Sequence, residues 1–314
     1  SCIFGRKSMK KALVSGANGF VGAAVVKELA AHGYEVFALA KKNHNDHIPI
    51  GDNIHFIPFE LDNAEQLKEV IPADTYEAFY HFAWSGSAGN ARADTRLQLQ
   101  NAQWTIDCMR VSKDLGCKRF VPAGTIMEHE TIAAAYTQGN HPGLGYIYGS
   151  GKVVAHMMCM SIAAKEGIDL VWPKITNAYG PGERSPRLVN TTIRKCIAGE
   201  SPQFTSGTQN YDFVYIDDIA CAFRLIAENG KPFHHYLIGS SHAKPLKEFL
   251  LEMKSAIAPN LDFKFGDIPF TGINLPLTAF DSSETEKDTG FKAKISFGEG
   301  CRRTMEWWKK EEKK

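Results

Sequence analysis

The chain of 314 residues reads as an α/β protein: a doubly wound parallel sheet followed by a smaller C-terminal lobe. Three observations predict this. Short apolar runs alternate with helical stretches over residues 9–176, as a parallel sheet covered by helices on both faces requires. Within each run the apolar residues are near-continuous, the mark of strands buried on both sides. The first run also empties into Gly16-Ala-Asn-Gly19-Phe-Val-Gly22, a glycine-rich junction between a strand and a helix.

Taken in order, residues 11–14 form the first strand, and residues 20–31 a helix with Val21, Val25 and Leu29 on one face. Gly33 closes that helix before a second strand at 34–39, and a third follows at 54–59. A short helix is expected near 64–70, a fourth strand at 78–83, a long helix over 92–115 and a fifth strand at 119–122. Residues 146–165 read as another long helix closed by Gly167, and residues 168–172 as a sixth strand. Both long helices carry core candidates, among them Ile106, Met109 and Met157. Beyond Asn177 prolines and glycines loosen the pattern, until a strand–helix return at 213–227 and a strand at 236–239. The expected division is therefore 9–176 plus about 213–239 for the sheet domain, and 177–212 plus 240–308 for the lobe. Residues 1–8, short and basic, read as a tag remnant or a disordered extension.

Thirty-six Lys and Arg against 35 Asp and Glu leave a net charge of +1, which supplies no field for nucleic acid or an anionic membrane surface. No apolar run is long enough to cross a bilayer. Seven scattered cysteines, without C-x-x-C spacing, argue against a disulfide framework and a zinc site. The expectation is a cytoplasmic protein with no metal. Any anionic ligand must be held by local groups.

The glycine loop supplies such groups. Gly16, Gly19 and Gly22 allow a tight turn and close backbone approach, and the following helix N-terminus offers free N–H donors to a diphosphate. Asn18, Phe20 and Val21 lie in the same loop. A dinucleotide usually meets an acid at the end of the second strand, on the ribose 2′-hydroxyl. Here that end reads Ala40-Lys41-Lys42-Asn43, with no acid, so Lys41 and Lys42 are expected to attract a 2′-phosphate. NADP(H) is the favoured cofactor, with NAD(H) the alternative. Further on, Tyr148-Gly-Ser-Gly-Lys152 sets a phenol and an ammonium on one helical face, where the ammonium is expected to lower the phenol's pKa.

With these motifs the chain resembles the extended short-chain dehydrogenase/reductase family, the nucleotide-sugar epimerases, dehydratases and reductases, whose loop is also G-x-x-G-x-x-G. The resemblance spans Lys10 to Trp308. It implies a Rossmann-type sheet, adenine contacts from Leu61 and Asp62, and a cofactor-lining strand end at Phe82 and Ala83. It implies that Tyr148 exchanges a proton with the sugar oxygen, that Lys152 also binds the nicotinamide ribose, and that Thr125 hydrogen-bonds the substrate oxygen. Thr125-Ile126-Met127 lacks the Asp-Glu pair of the family's dehydratases, while Gly124-Thr125-Ile-Met-Glu128 looks like the G-[ST]-x-x-E of its 4-keto-sugar reductases. Glu128 and His129 are accordingly candidates to contact the sugar, the alternative being that they are solvated loop residues.

Asn177, in a run similar to the family's N-x-Y-G-P-G, is expected to touch substrate, and Lys174 stands where arginine is common. Tyr211 replaces the arginine that usually grips the nucleotide diphosphate, so Arg184 and Arg187 become candidates to compensate. Tyr146, with no lysine four residues on, is read as packing or substrate-facing. The implied function is NADPH-dependent reduction of a 4-keto, 6-deoxy nucleotide sugar by a homodimer. The alternatives are a nucleotide-sugar epimerase with bound NAD and a non-catalytic NADP-binding sensor.

Overall fold

The computed structural model describes residues 9–314; the expected extension at 1–8 lies outside the described residues. Strands β1 (Lys10–Ser15), β2 (Tyr34–Ala40), β3 (Ile54–Pro58), β4 (Ala78–His81) and β5 (Phe120–Pro122) form a parallel sheet in the order β3-β2-β1-β4-β5. Helix α1 (Phe20–Ala31) joins β1 to β2, α2 (Leu67–Val70) lies between β3 and β4, and α3 (Thr95–Asp114) leads into β5. The order reverses at β1. Such a switch point opens a crevice beyond the carboxyl ends of the two strands that flank it. Ser15 pairs with both Leu39 and His81, so those ends finish level.

The chain continues through β6 (Gly124–Thr125), α4 (Met127–Ala135), α5 (Gly145–Glu166) and β7 (Trp172–Ile175). β7 lies between β6 and the strand His235–Ile238, all parallel, and a bridge between Phe120 and Leu170 ties this group to β5. One face of the sheet packs α1 and the helix Ile216–Asn229 through Val25, Leu29, Phe223 and Ile226. The other packs α3 and α5 through Ile106, Met109, Ala155 and Cys159. Each of the Val, Leu, Ile, Phe and Met side chains among these, fully buried, contributes about 1.5–3 kcal/mol relative to exposure. Helices Leu188–Ile197, Leu246–Ile257 and Phe297–Glu311, with short strand pairs, make up the later part of the chain.

Three local readings change. The helix expected from residue 92 starts at Thr95, because Asp94 caps it by accepting the Leu97 N–H at 3.1 Å. Arg92 therefore stands in the preceding turn, not on the helix. The sixth strand lies at Trp172–Ile175 instead of 168–172. Residues after Thr125, expected as loop, form α4. Met157, a core candidate, is 58% exposed. The described cysteines are unpaired, and no helix among the described residues is long and apolar enough to cross a membrane.

Candidate active site

At the carboxyl ends of β1, β2 and β4 the crevice opens into a cavity of about 650 Å³. Its floor is the glycine loop. Gly16 has φ +65°, and a Cβ there would lie 2.7 Å from the Ala83 backbone nitrogen. A Cβ on Gly22 would lie 2.0 Å from the Gly16 carbonyl oxygen. Gly19 stands at the N-cap of α1, no side chain caps that end, and no acid sits in the first turn. The N–H groups and the positive end of the helix dipole are therefore left for an anion. This cradle, too tight for side chains and lined with free donors, fits the diphosphate of a dinucleotide.

Of the residues expected at the cofactor, Gly16, Asn18, Gly19, Phe20, Val21, Gly22, Lys41, Leu61, Asp62, Phe82 and Ala83 line this cavity. Lys42 is exposed and does not. Asn18 also braces the loop above: its Oδ1 accepts the His47 N–H at 2.6 Å. Ser15 Oγ accepts the N–H groups of Phe82 at 3.1 Å and Ala83 at 3.2 Å, which shapes the opposite wall. His81, 2.7 Å from the same hydroxyl, is pushed down to about 3 by burial and by Lys152, so it stays neutral.

Thr125, Tyr148 and Lys152 all line this cavity. Lys152 Nζ donates to the Ala123 carbonyl at 2.8 Å and lies 4.0 Å from the Trp84 ring centroid. Burial brings this lysine down to about 8. Its Nζ is 5.9 Å from the Tyr148 ring centroid. The expectation that Lys152 lowers the phenol's pKa is corrected here. Burial holds Tyr148 above its ordinary value, against the opposing pull of Arg92 and Arg187. The group that stands over the phenol ring is Arg92, at 4.4 Å.

A second cavity of about 290 Å³ adjoins the first and shares Thr125, Tyr148, Asn177 and Arg187 with it. Arg92, Glu130 and Tyr211 are among its other polar lining residues. The Arg92 Nε is buried with no hydrogen-bond partner among the described residues. Burial pushes the Glu130 carboxyl up to about 7, with Arg92 opposing. The two cavities thus adjoin at a phenol and a threonine hydroxyl, with the Lys152 ammonium lining the first. Proton exchange with a ligand oxygen is the chemistry available there.

The model of the NAD dependent epimerase/dehydratase family matches residues 12–239. The chain belongs to the NAD-dependent epimerase/dehydratase family. It is similar to UDP-glucuronate 4-epimerase of Thermodesulfobacterium geofontis, 26% identical over 95% of this chain and 95% of that protein. It is also similar to the trifunctional UDP-glucose 4,6-dehydratase/UDP-4-keto-6-deoxy-D-glucose 3,5-epimerase/UDP-4-keto-L-rhamnose-reductase RHM1 of Arabidopsis thaliana, 22% identical over 95% of this chain. This chain spans about half the length of that relative, 47%. Among solved structures, the UDP-N-acetylglucosamine 4-epimerase of Methanobrevibacter ruminantium M1 superposes with a TM-score of 0.81 at 20% identity, covering 97% of this chain and 99% of that one. At that identity the likeness is one of fold.

Within this family member the substrate-side readings divide. Asn177 lines both cavities, with its amide Nδ2 donating to the Asp212 carbonyl at 2.8 Å. Tyr211 lines the second cavity and Arg187 lines both. Arg184 lines neither: its guanidinium stacks 5.0 Å from the Trp307 ring. Glu128, a candidate sugar contact, lines neither cavity and is only 4% exposed. It faces backward because α4 turns it toward Trp172 and His156. His129 is likewise turned away, 2.6 Å from Lys174 Nζ. The Tyr146 hydroxyl accepts the Ile273 N–H at 2.9 Å, which ties a later segment to the start of α5. Arg92 was missed because it was read as the first residue of a helix. Asp94 followed by Thr95, an N-cap signal, would have placed it outside.

Proposed function

We propose that the protein reduces the 4-keto group of a nucleotide-linked 6-deoxy sugar with NADPH. The observation that carries this reading is Tyr148, kept a phenol by burial at the junction of a dinucleotide cradle and a second polar cavity. A group that rests protonated suits the donation of a proton to a newly formed alkoxide. When bound, the nicotinamide supplies the hydride. Thr125 would orient the carbonyl oxygen, Tyr148 would protonate it, and the Lys152 ammonium, held on the Ala123 carbonyl, would offset the charge of the resulting phenolate until solvent reprotonates it. Carbonyl, hydride and proton balance as an alcohol. Ile126 and Met127, which line the second cavity, bring no acid for the elimination of water. The Arabidopsis relative, of whose length this chain spans about half, is named for a reductase activity among others.

The test is NADPH absorbance with UDP-4-keto-6-deoxyglucose. One cofactor oxidised per sugar reduced is the expected result. Interconversion of C4 epimers with no net consumption would replace this reading by epimerisation. That second reading is favoured by one finding, the near-complete coverage of the UDP-glucuronate 4-epimerase.

NADP(H) is preferred on this reading because Lys41 lines the cavity and no acid ends β2. Lys41→Ala/Lys42→Ala is expected to weaken NADPH about tenfold, roughly one charge-assisted contact, and leave NADH unchanged. Equal losses for both cofactors in a fluorescence titration would refute the preference.

Lys152 predicts a pH dependence. Its folded-state value of about 8 lies below the ordinary 10.5, so the unfolded chain binds more protons between those two values. Stability from this group therefore rises with pH across that window, and the burial penalty is complete below about 8. Activity moves the other way. Above about 8 the free enzyme loses the ammonium, and kcat/KM is expected to fall. A profile flat to pH 10 would remove Lys152 from the proton chemistry.

A further inference from the structure

Tyr148, Lys152 and His156 follow one another at four-residue spacing on α5 and so share one helical face. The first two reach the cleft. His156 turns to the buried layer behind it, where its Nδ1 lies 2.6 Å from Glu128 Oε1 and its ring stacks on Trp172 at 4.3 Å with an interplanar angle of 3°. The other carboxylate oxygen, Oε2, accepts the Thr125 backbone N–H at 2.9 Å and the Trp172 indole N–H at 3.1 Å. Thr125 Oγ1 in turn accepts the Met127 N–H at 3.2 Å.

These bonds form a capping-box-like loop just ahead of α4, whose N-cap is Ile126: the Thr125 hydroxyl accepts the Met127 N–H while Glu128 reaches back to the Thr125 N–H. The G-T-x-x-E stretch is explained by it. A Cβ at Gly124 would lie 2.2 Å from Trp172 Nε1 and 2.6 Å from Glu128 Oε2, so only glycine leaves room for the carboxylate. The box has an unusual extension. In an isolated helix its glutamate would end in solvent, but here the free oxygen is tied to α5, eight residues from Tyr148 on the same face.

We propose that His156 and Glu128 are positioning residues, a buried brace that sets the distance between the Thr125 hydroxyl and the Tyr148 phenol. The proposal rests on the reading of Thr125, Tyr148 and Lys152 given under the proposed function. Neither brace residue touches the cleft, so each acts through Thr125 and α5. A shift of about 1 Å between reacting groups is enough to cost on the order of 100-fold in rate.

The test compares His156→Ala, His156→Asn and His156→Gln, with Thr125→Val as reference, using NADPH and UDP-4-keto-6-deoxyglucose. The Asn amide nitrogen falls near the Nδ1 position, whereas the Gln amide nitrogen falls near Nε2. His156→Ala is expected to lose roughly 10- to 100-fold in kcat with KM for both ligands little changed. His156→Asn is expected to recover most of that loss and His156→Gln little of it. If His156→Ala fails to fold, the Asn and Gln pair decides alone. Equal recovery by Gln and Asn would overturn the brace, as would wild-type kcat in His156→Ala beside a large loss in Thr125→Val. Wild-type turnover in Thr125→Val would remove the underlying reading of the threonine, and the brace with it.

Discussion

Tyr148→Phe is expected to lower kcat by about 1,000-fold while NADPH still binds with near wild-type affinity, within the range for loss of a positioned proton donor. The ring remains, so its edge contact with Trp84 and its face beneath Arg92 persist, and folding should be little disturbed. Only the hydroxyl is lost. Among the described residues Tyr148 is the one tyrosine that lines both cavities: Tyr146 accepts the Ile273 N–H, and Tyr179 and Tyr211 line the second cavity but not the first. Stopped-flow turnover beside equilibrium cofactor binding separates the two effects. A loss of under tenfold in kcat would mean that the proton reaches the product oxygen from elsewhere, with Glu130, pushed up to about 7 by burial, a titratable candidate in the second cavity.

Gly22→Ala carries the second large effect, on the cofactor instead of the chemistry. The added methyl would sit 2.0 Å from the Gly16 carbonyl oxygen and 2.7 Å from its carbon, so the backbone of the loop must move. That backbone is also fixed from the far side, where Ala17 N–H donates to the Leu39 carbonyl at 3.2 Å and Gly19 N–H to the Gly16 carbonyl at 3.0 Å. The substitution should therefore cost about 1–3 kcal/mol of stability by overpacking. It should also weaken dinucleotide binding on the order of 100-fold, because the donors of the cradle lose their common aim. Calorimetric titration with NADPH and a thermal melt measure the two losses. Wild-type affinity in Gly22→Ala would show that the diphosphate does not lie on this turn.

Much of the site was legible because its parts are local. A glycine loop between strand and helix, or a tyrosine and lysine four apart, needs only a few residues to be read. Asp94 was equally local and was passed over, and with it the place of Arg92 outside α3. Glu128 failed for a different reason. Its neighbours His156 and Trp172 are 28 and 44 residues away, so no local pattern could tell a sugar contact from a buried brace.

The alternation of strands and helices along the chain, the glycine loop and the spacing of Tyr148 and Lys152 follow from the sequence, since periodicity and short steric rules act within a turn or a strand. The protonation of that pair was decided by packing. Burial brought Lys152 down and kept Tyr148 up, the reverse of what a solvated pair at this spacing would do. Desolvation depends on every chain segment that closes over a group, and those segments come together only in the folded molecule.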